Sequence, residues 1–424
     1  MVSVKLDTVL AFVLIVPFIL SHGIWPRATP YWLFALIFTA LLILVFLDIN
    51  KISNRIYEKS KNIIFWGLIL SIISGAFISE IILRHESLPI FRIHDIALQQ
   101  EVAIRYLLIG ENPYQEDYFG TPLEQWNYSA TEKNPALYHY VMQPFYTLFA
   151  IPFSSVSGTL FGFFDGRVPL MFLFFATLVF AHFLIKEGEK KRSFLLLLAF
   201  NPAMLPYTIE GRSDFFMLGF LFPSLFFLFR QKLFISAVFM GLAFAVKQSV
   251  WPILPFYVAY LWFRKRNSKD FQRTLGIFIG TFAIIVLPFF LWNPKAFIDS
   301  TILYLSGNTE HAYPISGYGF GMLLNQFGII KSIKDNFPFV IFQLLLGIPL
   351  IIYLLKYLKK NMSVKNLILV YAIFLSIFWY FSRYFNNSHI AYISILITMV
   401  YFWPLDSRSL SRGKPQQDES IHKK

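Results

Sequence analysis

The chain has 424 residues, of which 56% are hydrophobic and only 14% are charged, and its formal net charge is +13. This composition excludes an ordinary soluble domain and is typical of polytopic membrane proteins. The absence of cysteine excludes disulfides, thiolate metal sites and a thiol nucleophile. Because the basic residues are spread over short loops between apolar segments, the positive charge indicates membrane topology rather than a nucleic-acid partner.

The apolar segments predict an all-α polytopic membrane protein with about twelve transmembrane helices. The first segment is followed by no small-residue cleavage site, so we interpret it as a span and not as a removed signal. The predicted spans are residues 8–25, 31–49, 62–83, 161–185, 193–209, 214–230, 233–249, 250–263, 271–292, 337–356, 365–381 and 388–404. We interpret the apolar segment 139–157 as re-entrant or interfacial, because a crossing there would disturb the charge pattern of the later loops.

The Lys and Arg residues predict the orientation of these spans. One set of alternating loops, together with both termini, holds 25 of the 37 basic residues. The positive-inside rule assigns this set to the cytoplasm. The loops 84–160 and 293–336 then lie on the non-cytoplasmic side. We expect residues 1–405 to form one integral-membrane domain and the polar tail 406–424 to be disordered in the cytoplasm.

The first outer loop, 84–160, is the predicted place for chemistry, because water, a polar acceptor and a lipid-borne donor can meet there. Within it a helix is predicted from Asp95 to Ile109, with Gly110 just past its C-terminus and Pro113 preventing its continuation. We expect this helix to lie on the membrane surface. Asp95 is a candidate N-cap and a candidate general base, and the two roles are compatible. The polar face of the predicted helix consists of Gln99, Gln100, Glu101 and Arg105.

Aromatic residues are frequent in the remainder of the first outer loop. They are Tyr114, Tyr118, Trp126, Tyr128, Tyr138 and Tyr140. An interfacial aromatic belt accounts for them, and so does a sugar-binding surface built from aromatic faces and amide edges. Composition alone does not separate these two interpretations.

The second outer loop contains glycines at 317, 319 and 321, a spacing with a superficial likeness to a nucleotide-binding loop. No strand is predicted before them and no helix-borne Lys-Ser or Lys-Thr pair follows, so a P-loop is excluded. We interpret the segment as a flexible lid over a cavity. No cofactor is predicted, and no His-rich or paired-carboxylate cluster specifies a metal. A divalent ion that bridges a phosphate is an alternative that the sequence leaves open.

Three sequence blocks, in their order, resemble a known group of enzymes. The first block is Asp95 at the mouth of a span, followed by a helix and then by Gly-Glu-Asn-Pro-Tyr at 110–114. The second block is Asn-Pro at 201–202, followed by Gly-Arg-Ser-Asp at 211–214. The third block is the small-residue segment 241–248, which ends in Lys-Gln. This order resembles the polyprenyl-phosphate-sugar-dependent glycosyltransferases of the GT-C type. It is most similar to the bacterial alpha-mannosyltransferases of glycosyltransferase family 87 and to the catalytic subunits of GPI mannosyltransferases. Two features depart from the family pattern: Arg212 stands where Gln is frequent, and two spans precede the Asp95 loop.

The resemblance implies an inverting hexosyltransferase, a mannosyltransferase by likeness, in the bacterial inner membrane. A polyprenyl-phosphate-linked sugar is the implied donor and a lipid or glycan the implied acceptor, with the active site on the outer side. One carboxylate would deprotonate the acceptor, and cations would stabilise the leaving phosphate. The implied base is Asp95, with His94 as its orienting partner or a phosphate contact. The implied phosphate-binding residues are Lys247, Arg212, Arg383 and His389, and the implied substrate-binding residues are Asn112, Tyr114, Asp214 and Gln248.

Each of these assignments has an alternative. Glu86, Glu101 and Asp117 are rival carboxylates in the same loop. Lys247 could instead form an ion pair with Asp214 or Glu210, and the segment from Arg383 to His389 could be a polar hairpin. The function also has two alternatives, a transporter or flippase of lipid-linked saccharides and a polysaccharide ligase or polymerase. A transporter should show internal repeats with broken helices, and we find none in the sequence.

Overall fold

The computed structural model describes residues 3–50, 53–127, 133–264 and 268–405. In these residues almost all regular structure is helical, as predicted. The described strands are two residues long, β1 (Ser316–Gly317) and β2 (Tyr384–Phe385), and they pair in parallel with Ser316 opposite Tyr384. The predicted tail, 406–424, and Tyr128 lie outside the described residues.

The helices follow one another with short connections, apart from two long non-helical regions. The first half contains α1 (Leu6–Ser21), α2 (Tyr31–Ile49), α3 (Asn54–Glu86), α4 (Asp95–Leu108), α5 (Pro144–Phe161), α6 (Arg167–Leu184), α7 (Gly188–Ala199), α8 (Leu205–Ile209) and α9 (Asp214–Phe229). The second half contains α10 (Leu233–Phe244), α11 (Leu254–Arg264), α12 (Ser268–Trp292), α13 (Pro294–Ile298), α14 (Tyr304–Ser306), α15 (Phe320–Gln326), α16 (Phe339–Lys360), α17 (Val364–Tyr380) and α18 (Asn387–Phe402). Single 3₁₀ or π turns occupy Pro122–Gln125, Pro135–Leu137, Gln248–Ile253 and Asp299–Leu303.

Five of the described helices, α2, α3, α6, α12 and α16, are long and apolar enough to cross a membrane. Five further apolar helices, α1, α9, α10, α17 and α18, have between 10 and 17 residues. Every predicted span overlaps a helix, but the predicted span 193–209 is interrupted. Its helix α7 ends at Ala199 because the Asn201 side chain accepts hydrogen bonds from the backbone N–H groups of Ala203 and Met204. The number of crossings therefore stays a prediction.

Buried charges join the N-terminal helices at one end of the bundle. The Lys61 ammonium of α3 lies 2.7 Å from Asp7 of α1 and 2.8 Å from Asp48 of α2, and all three side chains are fully buried. Arg192 of α7 binds Asp7 and, at 2.7 Å, Glu58. Each charge in this cluster has a partner, as burial in an apolar surrounding requires. The N-terminus and two loops of the predicted cytoplasmic set are thus brought together at what we call the closed end.

A second set of buried charges fixes α4 at the other end of the bundle, which we call the cavity end. The Arg84 guanidinium at the end of α3 binds both oxygens of Glu101, at 2.7 and 2.8 Å, and also Asp165. Asp165 in turn accepts from Arg167 at the start of α6. Burial alone would raise the pKa of Asp165, but the two guanidinium groups hold it well below its ordinary value. The carboxylate is therefore ionised in its buried position.

The burial of α4 differs from our expectation that the polar face of this helix meets water. Residues 97–104 are buried, and they include the three polar residues Gln99, Gln100 and Glu101. The two glutamines are buried because they bind the returning chain. Gln99 donates to the carbonyls of Ala136 and His139, and Gln100 donates to the carbonyl of Tyr146. The predicted helix is confirmed, but Gln99 and Gln100 bind protein backbone and Glu101 binds Arg84, while Arg105 is exposed.

Helix α5 covers most of the segment 139–157 and begins and ends at the cavity end. At its start the backbone N–H of Gln143 donates to the carbonyl of Val246, which follows α10. Just beyond its end Phe163 stacks on His85 of α3, with ring centroids 3.8 Å apart. A helix whose two ends meet the same end of the bundle does not cross it, which agrees with the re-entrant or interfacial interpretation.

Candidate functional site

A cavity of about 1110 Å³ opens at the cavity end of the bundle. Its walls come from the starts of α4, α9, α16 and α18, the turn after α10, and the second outer loop. Eight of the ten predicted site residues line it. They are His94, Asp95, Arg212, Asp214, Lys247, Gln248, Arg383 and His389. Residues almost 300 positions apart in the sequence therefore meet around one space.

The other two predicted residues, Asn112 and Tyr114, do not line this cavity. Both are buried within the first outer loop. The Asn112 side chain accepts from the backbone N–H of Tyr114 at 3.1 Å, and the Tyr114 hydroxyl donates to the carbonyl of Met142 at 2.8 Å. In this structure both side chains stabilise the fold of the loop and do not face the cavity.

Asp95 is the first residue of α4, so the N-cap position belongs to His94 and not to Asp95 as the sequence suggested. The His94 Nδ1 atom lies 2.6 Å from Asp95 Oδ1. The backbone N–H of Ile96 lies 2.8 Å from the same oxygen and 3.3 Å from His94 Nδ1. The shorter contact assigns this N–H to Asp95, which leaves His94 Nδ1 to donate to the carboxylate. His94 therefore orients Asp95.

Burial on its own raises the pKa of Asp95, whose exposed fraction is only 5%. The imidazole of His94, the amide of Asn134 and the backbone N–H of Ile96 outweigh this effect, so the pKa lies below its ordinary value. Asp95 is therefore ionised at neutral pH and can accept a proton. One further contact positions Asp95. The backbone N–H of His94 donates to the carbonyl of Glu210, which joins the start of α4 to the segment before α9.

The three rival carboxylates of the loop do not line the cavity. Glu101 is buried and held by both nitrogens of Arg84. Glu86 is half-exposed and lies 3.4 Å from Arg27. Asp117 is exposed, and its carboxylate accepts from the backbone N–H of Phe119. These positions leave Asp95 as the carboxylate of this loop that faces the cavity.

Sequence reasoning missed Asn134, which is fully buried beside Asp95. Its Nδ2 donates to Asp95 Oδ2 at 2.9 Å, and its Oδ1 accepts from the backbone N–H of Ala136. The carboxylate thus has two hydrogen-bond donors at the start of α4, His94 Nδ1 and the backbone N–H of Ile96, and one from the returning chain. An Asn before a Pro signals only a turn, so nothing in the local sequence indicated this contact.

We expect Asn134→Ala to shift the acid limb of the pH–rate profile to higher pH. The Asn134 amide stabilises ionised Asp95, so its loss raises the pKa of the carboxyl group, and the active, deprotonated form is lost at a higher pH than in the wild type. The measurement is transfer rate against pH for both proteins, with folding checked by melting. A lower rate with an unshifted acid limb would show that Asn134 only supports the loop.

The cations of the cavity come from other segments of the chain than Asp95. Lys247, just after α10, lies 2.8 Å from Asp214, the first residue of α9, and the Lys247 side chain keeps 16% exposure. Arg212 binds Glu210 through Nε at 2.9 Å and lies over the Tyr207 ring at 4.3 Å. The ion pair between Lys247 and Asp214, an alternative considered from the sequence, is thus present, and both members still face the cavity.

Arg383, in the turn between α17 and α18, is buried among backbone carbonyls of the second outer loop. It donates to the carbonyls of Tyr313 and Asp335, the latter at 2.8 Å, and more weakly to those of Ile333 and Lys334. No described carboxylate lies within ion-pair distance of it. The guanidinium therefore anchors the second outer loop at the cavity and adds a positive charge to the cavity wall.

His389 and Gln248 complete the polar wall. His389 lies in the first turn of α18, where its Nδ1 accepts from the backbone N–H of Asn386 in a capping box. This bond assigns the proton to Nε2, which is then a donor. Gln248 donates to the carbonyls of Val141 and Thr301, so it joins the two outer loops.

One side of the cavity is apolar and partly open. It is formed by the start of α16 and the end of α17. The apolar side chains here include Phe337, Phe339, Val340, Phe378 and Trp379. Val340 lines the cavity and is 56% exposed. A hydrocarbon chain could therefore enter the cavity from the side of the bundle while a polar group reaches the charged wall.

The chain matches no protein-family model, and comparisons with curated proteins and with solved structures find no match. Among the described residues, no three His, Asp or Glu side chains cluster as metal ligands would. The geometry of the cavity is therefore the basis for a proposal of function.

Proposed function

We propose that the protein is an integral-membrane glycosyltransferase that moves a hexose from a polyprenyl-phosphate donor to a lipid or glycan acceptor. One observation carries this proposal. An ionised, oriented carboxylate, Asp95, has no Lys or Arg partner among the described residues, and it lines the same cavity as Lys247, Arg212 and a group of apolar side chains. The choice of mannose follows only from the family resemblance.

The proposed reaction is a single displacement. Asp95 takes the proton of the acceptor hydroxyl as the acceptor oxygen forms its bond to the anomeric carbon. The bond between that carbon and the phosphate oxygen breaks, and the polyprenyl phosphate leaves with the electron pair. Lys247 and Arg212 stabilise the charge that builds on the leaving group, and Arg383 adds a positive field. Attack on the face opposite the phosphate inverts the anomeric centre, and only one carboxylate is required.

The apolar opening suits the lipid part of the donor. A polyprenyl chain in the opening at Val340 would keep its carbons in an apolar surrounding, and its phosphate would reach toward Lys247 and Arg212. Because the polyprenyl chain comes from the hydrocarbon of the bilayer, its entry into this opening exchanges one apolar surrounding for another. The anchored second outer loop would then limit the access of water to the sugar.

A flippase for a lipid-linked saccharide would use the same cations and the same opening. It would leave the bond between sugar and phosphate intact and would not need an oriented base. The formation of free polyprenyl phosphate from a synthetic donor therefore separates the two functions. A ligase or polymerase would also form this product, and the length of the transferred saccharide distinguishes it.

We also propose that the cavity end faces the non-cytoplasmic side of a bacterial inner membrane. In this Cys-free chain, Glu111→Cys after α4 and Ser268→Cys at the start of α12 place single thiols at exposed positions of opposite ends. We expect an impermeant maleimide to label only Glu111→Cys in intact cells, and both after permeabilisation. Labelling of only Ser268→Cys in intact cells would reverse the orientation.

A further inference from the structure

A second, smaller cleft of about 490 Å³ lies at the closed end of the bundle. Two helices show that it is opposite the large cavity: α9 lines the cavity with Asp214 and the cleft with Phe229, and α18 does so with His389 and Phe402. The 16 residues of each helix separate the two sites by about 24 Å. The cleft is thus independent of the site described above.

The cleft is strongly basic. Four basic residues line it, Lys186, Lys190, Arg230 and Arg264, with the single acid Glu187. Lys186 and Lys190 form no hydrogen bond or ion pair with another described residue, as the side-chain contacts of the described chain show. Arg230 donates to the carbonyl of Phe183 and lies over the Phe226 ring, so several of its N–H groups keep their donor capacity.

The cleft also has an apolar part, which is formed where α6, α9 and α18 end. Leu184 and Phe402 are buried there, and Leu405 is exposed at the rim. Cations above an apolar floor, at the level where helices end, match the chemistry of a lipid headgroup at a membrane surface, where a phosphate lies next to glycerol and acyl carbons. A free anion would use the cations alone.

We propose that this cleft binds the phosphate of an anionic phospholipid headgroup. Lys186 and Lys190 supply mobile ammonium groups, and Arg230 supplies a planar donor group for the phosphate oxygens. The excess of basic residues at this end is expected from membrane topology alone, but topology does not require that they surround a cleft. Lys356 and Lys360 at the end of α16 are exposed basic residues of the same predicted side that do not line it.

The test uses the full-length protein in an uncharged detergent, with melting temperature as the readout. Dioctanoyl phosphatidylglycerol is titrated into the protein, and dioctanoyl phosphatidylcholine and inorganic phosphate are titrated in parallel for comparison. We expect a saturable rise in Tm with phosphatidylglycerol only, because a ligand that binds the folded state stabilises it by mass action. In Lys186→Gln/Lys190→Gln the apparent Kd should rise at least about tenfold. The matched control Lys356→Gln/Lys360→Gln should stay within about twofold of the wild type.

Three results would overturn this proposal. If phosphatidylglycerol gives no specific rise in Tm, the proposed site does not exist. If its apparent Kd rises equally in both double variants, the binding is due to general surface charge. An equal, saturable shift with inorganic phosphate would assign the cleft to a free anion and not to a lipid. Because the two lysines are surface residues without partners, both variants should fold, and the melting of the ligand-free proteins verifies this.

Discussion

Replacing Asp95 with asparagine is expected to remove most sugar transfer, by roughly 10²–10⁴-fold, because the variant keeps the size of the side chain but loses the base. The asparagine can still accept from the backbone N–H of Ile96, but its amide group would oppose the amide of Asn134. A local loss of about 1–3 kcal/mol is therefore expected. Rates are compared for protein with matched expression and with melting measured in parallel. Asp95→Glu should also fall, by about 10²-fold, since the extra methylene displaces the oxygen by about 1 Å.

The control for Asp95→Asn is Asp117→Asn. Asp117 is a carboxylate of the same loop that is exposed and does not line the cavity. The Asp117→Asn variant should transfer sugar at nearly the wild-type rate. Near wild-type transfer by Asp95→Asn would remove the base from the mechanism, and since Glu101 is held by Arg84, the search would move to Asp214.

Lys247→Ala should lower both stability and use of the donor. Asp214 would keep a buried charge without its partner, which costs about 3–5 kcal/mol, and a lost phosphate contact costs about 1.5–3 kcal/mol, or roughly 10–100-fold in donor affinity. The measurements are melting temperature and apparent donor affinity. Lys295→Ala is the matched control, because Lys295 also lies 2.8 Å from an aspartate, Asp299, but on the surface and away from the cavity.

A second variant separates the two roles of Lys247. In Lys247→Met/Asp214→Asn both charges are removed, so most of the stability should return, because no charge is left buried and unpaired. Donor use should stay impaired if Lys247 binds the phosphate. Recovery of donor affinity together with stability would show that the pair between Lys247 and Asp214 is structural only.

Much of the helical architecture could be predicted from the sequence, because long apolar segments and their breakers are local signals. The helix from Asp95 ends at Leu108, and Gly110 has the left-handed φ of +85° that its position past the helix end suggested. The expectation that the polar face of this helix meets water was wrong for Gln99, Gln100 and Glu101, which are buried. Its glutamines bind the backbone of residues more than 35 positions away, and such contacts leave no periodic signal in the sequence.

The site was predictable only as a set of candidate residues. The three sequence blocks drew attention to Asp95, Arg212, Asp214, Lys247 and Gln248, and His94, Arg383 and His389 were singled out separately. All eight line one cavity. Their partners were not predictable: Asn134 binds Asp95 from 39 positions away, and Arg383 binds carbonyls of a loop 48 to 70 positions earlier. Asn112 and Tyr114 belong to the same sequence block as Asp95, but their polar groups bind the loop itself. A motif shows which residues occur together and does not show which side chains face a ligand.

The most direct test of the central claim is sugar transfer by the purified protein in vitro. Radiolabelled polyprenyl-phosphate mannose and polyprenyl-phosphate glucose are supplied as donors with bacterial membrane lipids as acceptors, and the products are separated from free polyprenyl phosphate. We predict that wild-type protein forms polyprenyl phosphate and labelled glycolipid in equal amounts from at least one donor, and that Asp95→Asn forms almost none. An intact donor after incubation with folded wild-type protein, or equal turnover by both proteins, would contradict the proposed function.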